Sequence, residues 1–503
     1  MMSKHKWMAK TALALALAAA YGAQADDHRD FDFGDMVEHQ LAARSEKLFG
    51  VEKPLTDSAP ATTGAYRTMA QPAGAQLLAA RGLKVEYLTR EAGNLTDMMA
   101  FWPSEQAPTH LITCVEGGRQ QLSGDADTRN YVPGDKFNPS VQRIRLADGQ
   151  VETVLRGMDR CDGIRRTDWG TVLVTEETDD GAAYEILDPL AISNEHVIDR
   201  TSGAVTNPAM VAKRAALPIM AWEGLEVLPN GVVIGGDELR PGTGGADLDG
   251  GAIFKFIPAT LRSGGATISG LNESPLAAGS VYAMQVSCVN NRQQYGQGCE
   301  VGNAAWVAVN AATARASAAI QGASGYYRPE DLHRDPLYRN ADYPEALRFC
   351  WANTGNEDAG NYGEVVCGVD LAPGALSVTA SDGTVNPRTV TVNRLVEGDR
   401  DFNSFDNLDF QPKTGSLYVI EDHDNGDIFA CLPDGADRDL KTDGCVKLFS
   451  VKDSSAEPTG FLFDATGDTA YLSIQHSNDA LMPKVDDYGT DDVLKITGFK
   501  LKK

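Results

Sequence analysis

An all-β propeller built around a central channel is the fold class this sequence predicts, and three observations carry it. Short segments alternating apolar and polar residues, bounded by Gly, Asn, Asp and Pro, dominate from Asp97 onward, while sustained helical periodicity is rare. One unit recurs: an acidic residue, a strand, a turn, a second strand and further acidic residues. Radial repetition of such small antiparallel sheets sets one end of every inner strand around a common axis.

The unit is clearest where Phe405-Asp406-Asn407-Leu408 runs through Pro412 to Gly415 into Leu417-Tyr418-Val419-Ile420-Glu421-Asp422. In a hairpin the start of the first strand and the end of the second lie together, so both acidic ends reach one rim. Trp222-Glu223-Gly224 leads in the same way to Gly236-Asp237-Glu238, Glu457-Pro458-Thr459-Gly460 to Gln475-His476, and Cys161-Asp162-Gly163 to Glu176-Glu177. Arg328-Pro329-Glu330-Asp331 leads through a longer turn to Phe349-Cys350-Trp351, and a weaker copy runs from Asp97 to Glu116. Six copies predict six blades, each longer than the roughly 40 to 50 residues of common propeller repeats.

The domains follow in order. Residues 1–25 carry Lys4, Lys6 and Lys10, an apolar run from Thr11 and Ala23-Gln24-Ala25, the form of a cleavable secretory signal, so the mature chain is expected in the periplasm or outside the cell. Residues 26–95 are expected to form an N-terminal arm with a short helix around Glu38 to Leu48, and residues 96–503 the catalytic propeller with short helical insertions. The Ala-rich 303–321 reads as one such helix, 239–251 as a loop, and Asp492 to Thr497 as a closing strand. Beyond the signal no apolar run reaches the ~18 residues a membrane helix needs.

The net charge is −25, and loss of the three signal lysines leaves −28. Such a surface disfavours nucleic acid and anionic lipid and suits a holder of polyvalent cations, although an acidic surface that only keeps an exported protein soluble explains it equally. A monomer is expected. Eight cysteines in an oxidising compartment suggest disulfides. Local spacing pairs Cys288 with Cys299, Cys350 with Cys367 and Cys431 with Cys445. Cys114 and Cys161 are left either bridged or free.

Cys161, Glu223, Glu330, Asp406 and Glu457 all start hairpins. Carboxylates crowded on one axis stay charged near neutral pH only if cations neutralise them. Oxygen ligands suit calcium, and a thiolate beside them suits a softer or trivalent metal such as iron. Acids that merely cap solvated turns are the plainer alternative for any one of them. Arg328, two residues before Glu330, has a guanidinium whose fork matches phosphate oxygens; a salt bridge to a neighbouring carboxylate is its plainer role. His476 is expected to be structural before it is a ligand or a general acid. No Gly-x-Ser-x-Gly elbow or His-Glu-x-x-His stands in the chain, so the attacking oxygen is expected to come from the metal site.

Taken in order, Cys161-Asp162-Gly163 with Trp169-Gly170-Thr171 and Glu176-Glu177, Trp222-Glu223-Gly224, Gly236-Asp237-Glu238, Arg328-Pro329-Glu330-Asp331, Asp406-Asn407-Leu408, and Glu457-Pro458-Thr459-Gly460 with Gln475-His476 resemble the PhoX-type secreted alkaline phosphatases. The similarity runs from about Glu91 to His476. The resemblance implies a six-bladed propeller holding an iron and calcium cluster, with a free Cys161 bridging the irons. It implies Glu176, Glu177, Glu223, Glu330, Asp406 and Glu457 as carboxylate ligands, Arg328 on the substrate phosphate, and small phosphate esters as substrates. The chain departs from that family in lacking twin arginines in its signal and in having Asp168 and Trp222 where Pro and His are frequent. Two alternatives remain: a calcium-dependent lactonase-like hydrolase, which Glu223-Gly224 and Asp406-Asn407-Leu408 also suit, and a non-catalytic calcium-binding propeller. The phosphatase expectation requires that these side chains converge and that Cys161 be free of Cys114.

Overall fold

The computed structural model describes residues 33–124, 131–242, 250–286, 300–433 and 444–501. The expected signal segment, the Cys288/Cys299 pair and part of the 239–251 loop lie outside them.

Six hairpins place their first strands innermost: Thr96–Trp102, Cys161–Arg166, Trp222–Val227, Pro329–Arg334, Phe405–Phe410 and Glu457–Phe463. Each packs against the next, and the last against the first, so the ring is closed. Each inner strand also has a register shift against its partner, for example between Trp222 and Leu225, Pro329 and Leu332, and Phe405 and Leu408. A bulge of this kind bends a strand and re-aims its side chains. It is what turns the residue after the strand's first pair, an acid in five cases, toward the axis.

The fold is all-β and propeller-like, with few helices, but the six separate blades expected from the repeats do not form. Among the described residues the strands make five sheets of four or more strands. The difference lies at Gly302–Val309, read from sequence as helix because it is rich in alanine. It is a strand whose buried residues include Ala304 and Trp306, and it pairs on one side with Gly279–Val286 and on the other with Val390–Glu397. That double pairing joins the sheet of the Glu223 hairpin to the sheet of the Glu330 hairpin. Beside the joint the buried Lys255 ammonium and the Trp306 indole both donate to Asp370 Oδ2, at 2.9 and 3.0 Å. Helix is confined downstream, to Ala314–Gln321, which ends on Gly322 at φ +68°.

The expected arm is partly sheet. Helices Phe33–Ala43 and Ser45–Leu48 match the expected helix, but Leu77–Ala79 pairs with Cys445–Val451, and Lys84–Gly93 pairs with Thr490–Thr497. Thr490–Thr497, expected as the closing strand, is therefore interior to its sheet, and Lys84–Gly93 covers its edge. Cys350–Cys367 and Cys431–Cys445 are cross-strand disulfides, as their spacing predicts. Apolar side chains fill the wedges between sheets, with Trp169, Leu173, Trp222 and Leu225 sharing one of them.

Candidate metal centre

The bulge brings Asp97, Asp162, Glu223, Glu330 and Asp406 to equivalent places around one rim. Their second strands end on a further set, Glu116, Glu177, Glu238 and Asp422. In each of these four hairpins the backbone N–H of the second-strand acid donates to the residue two before the first-strand acid, as Glu177 does to the Arg160 carbonyl at 2.8 Å. Three groups follow in a row: Asp97, Glu116 and Asp162; Asp162, Glu177 and Glu223; Glu223, Glu330 and Asp406. Within each, one oxygen per residue lies within 4.8 Å of the others. Asp162 and Glu223 are shared between neighbouring groups.

Burial pushes the carboxyls of Asp97, Asp162, Glu177, Glu223, Glu330 and Asp406 well above their ordinary range, and the neighbouring carboxylates add to it. Asp162 Oδ1 is buried with no hydrogen-bond partner. An unpaired buried acceptor among like charges is costly, and a cation satisfies both deficits. The donor set is oxygen throughout, which fits calcium or another hard divalent ion.

Iron held by a thiolate does not fit. Cys161 Sγ is bonded to Cys114, in a pair spanning 47 residues, and both are buried among Ile164, Val172 and Tyr184. The free, bridging Cys161 implied by the resemblance is therefore overturned, and with it fails one of the two conditions set on the phosphatase expectation; the other, convergence of the carboxylates below Arg328, is met, through Asp162 in place of its neighbour Cys161. Glu176 also leaves the ligand set. Adjacent strand residues face opposite ways, so Glu177 reaches the rim while the fully buried Glu176 accepts from Arg200 Nε at 2.7 Å and from the Asp159 N–H at 3.0 Å. Glu457 stands beside the groups rather than in one, because its strand starts earlier relative to the bulge and Gly460 takes the equivalent place. Its Oε1 lies 2.8 Å from His476 Nε2, a contact that raises the His476 pKa to about 9. Trp222 is core: its indole donates to the Pro218 carbonyl at 3.0 Å.

Arg328 stands over the rim with its guanidinium 2.5 Å from Glu238, 3.3 Å from Glu330 and 3.1 Å from Asp422. Its φ is +56°, a conformation a non-glycine residue adopts only when its surroundings impose it. Asp97, Asp162, Glu116 and Arg160 were not singled out as site residues in the sequence; that Asp162 stands two residues before Ile164, as Glu223 and Glu330 stand two before Leu225 and Leu332, was the available signal.

The fold and the site together define a propeller-like protein whose channel mouth is a row of buried carboxylates overhung by guanidinium groups. The family described as alkaline phosphatase PhoX matches residues 243–478, which include Arg328, Glu330, Asp406 and Glu457. The match spans a little under half of the chain, and over those residues the chain is similar to that family. Among solved structures the fold is similar to Pseudomonas fluorescens PhoX in complex with vanadate, at 15% identity and TM-score 0.51, covering 88% of this chain and 98% of that one. A gluconolactonase from Xanthomonas campestris aligns at 12% identity and TM-score 0.36, covering 89% of this chain and 98% of that one. Among curated proteins no sequence matches this chain.

Proposed function

We propose that this chain is an exported phosphomonoesterase that works with calcium held at the channel mouth. Asp97, Glu116, Asp162, Glu177, Glu223, Glu330 and Asp406 would hold the cations. When bound, such cations neutralise phosphoryl oxygens and make water a better nucleophile. Arg328, held in place by Glu238 and Asp422, offers its fork to the phosphoryl oxygens and stabilises the charge that develops on them in line attack. His476, whose pKa Glu457 raises to about 9, would give its proton to the departing alkoxide. Water supplies the new oxygen on phosphorus, and the products are phosphate and an alcohol.

The observation that carries this reading is the unpartnered Asp162 Oδ1 among carboxylates that lie within 4.8 Å of one another, beside a guanidinium that reaches Glu330. Purified full-length protein loaded with calcium is expected to hydrolyse p-nitrophenyl phosphate, and to stop on addition of a calcium chelator. Elemental analysis is expected to find calcium without stoichiometric iron. Hydrolysis that survives both the chelator and Arg328→Ala rejects the proposal, and turnover of a lactone in place of the ester replaces it with the lactonase reading.

A further inference from the structure

Arg160 repeats Arg328. Each lies two residues before an acid of the rim, Asp162 in one case and Glu330 in the other, and each has left-handed backbone, at φ +54° and +56°. Each guanidinium is held by two acids that end second strands. Arg328 takes Glu238 and Asp422; Arg160 takes Glu116 and Glu177, the latter at 2.8 Å. Those acids place the two arginines over different cation positions. Glu116 groups with Asp97 and Asp162, and Glu177 with Asp162 and Glu223, whereas Arg328 reaches Glu330, which groups with Glu223 and Asp406. The two differ in depth: the Arg328 side chain is 16% exposed and that of Arg160 46%.

With no cation bound, Glu116 and Glu177 neutralise Arg160. Once cations draw on those same carboxylates, the guanidinium faces positive charge on one side and solvent on the other, and an anion from the solvent side restores the balance. We propose that Arg160 is a second anion-binding residue, and that the substrate class is phosphate esters carrying another negative group, a second phosphate or a carboxylate, on the alcohol portion. The deeper Arg328 takes the phosphoryl group that is transferred; the outer Arg160 takes the group that stays on the alcohol. This deepens the phosphatase reading and rests on it.

The test compares non-hydrolysable probes by calorimetry on calcium-loaded, desalted protein: ethylphosphonate, with one anionic group, and phosphonoacetate, with two. Phosphonoacetate is expected to bind about 10- to 100-fold more tightly, the range of a hydrogen bond between charged groups. Arg160→Gln is expected to remove that advantage, Arg160→Lys to keep part of it, and Arg328→Ala to weaken both probes. In turnover, Arg160→Gln is expected to raise KM for fructose 1,6-bisphosphate by more than it raises KM for p-nitrophenyl phosphate. Equal affinity of the wild-type protein for the two probes overturns the proposal whether or not the variants fold, and so does an advantage that persists in Arg160→Gln with calcium content unchanged. A preference for phosphonoacetate with no turnover of either ester keeps the anion site and rejects the phosphatase reading.

Discussion

Asp162 is where the chemistry of the rim is most exposed to test. One of its oxygens has no partner, two of the three carboxylate groups share it, and burial holds its carboxyl well above the usual range. Asp162→Asn removes a charge that costs the metal-free protein and that a cation requires. Its melting temperature without metal is expected to be no lower than that of the wild type, and calcium is expected to raise it by several degrees less. A calcium-dependent stabilisation equal to the wild type's would show that the rim does not bind through this residue. The sequence made Cys161 conspicuous and left Asp162 unread, because a cysteine at a hairpin start looks like a ligand and no one-dimensional pattern says which of two adjacent strand residues faces the axis. The same alternation separates Glu177 from Glu176. Arg328 was legible because it stands next to Glu330; Arg160, in the same relation to Asp162, was masked by the same cysteine.

At the scale of the element, the bulged inner strand fits against its neighbour because the residue after two of the rim acids is glycine. A Cβ at Gly224 would lie 1.9 Å from the Leu332 nitrogen, and one at Gly163 would lie 2.2 Å from the Glu223 carbonyl oxygen. Both obstacles are backbone, which cannot swing aside. Gly224→Ala is expected to cost more than about 3 kcal/mol in denaturant unfolding, at the severe end for a single substitution, and a cost under about 1 kcal/mol would mean that the ring opens to accommodate it. The hairpins themselves were legible, since acid, alternating strand, turn and second strand are local signals. What joins the hairpins into sheets was not. The alanines of Gly302–Val309 favour helix in isolation, and the strand exists because edges on both sides, Gly279–Val286 and Val390–Glu397, are there to receive it.

For the whole molecule the rim sets a dependence of stability on pH. Asp97, Asp162, Glu177, Glu223, Glu330 and Asp406 all have carboxyls raised in the folded state. Above the ordinary carboxyl range near pH ~4 the folded chain holds more protons than the unfolded one, so stability falls as pH rises. The metal-free protein is therefore expected to melt at progressively lower temperature as pH rises above the ordinary carboxyl range, and saturating calcium is expected to flatten that slope. Parallel profiles with and without calcium, followed by scanning calorimetry, would count against cations at the rim.

The pairing of Lys84–Gly93 with Thr490–Thr497 has a consequence for when the centre comes into being. A circle clasped by segments some four hundred positions apart stays open until the later of them has been made. The acids are strung along the thread long before they meet, and they gather only in the compartment where the clasp shuts, so cations bound by them would be drawn from that compartment's supply.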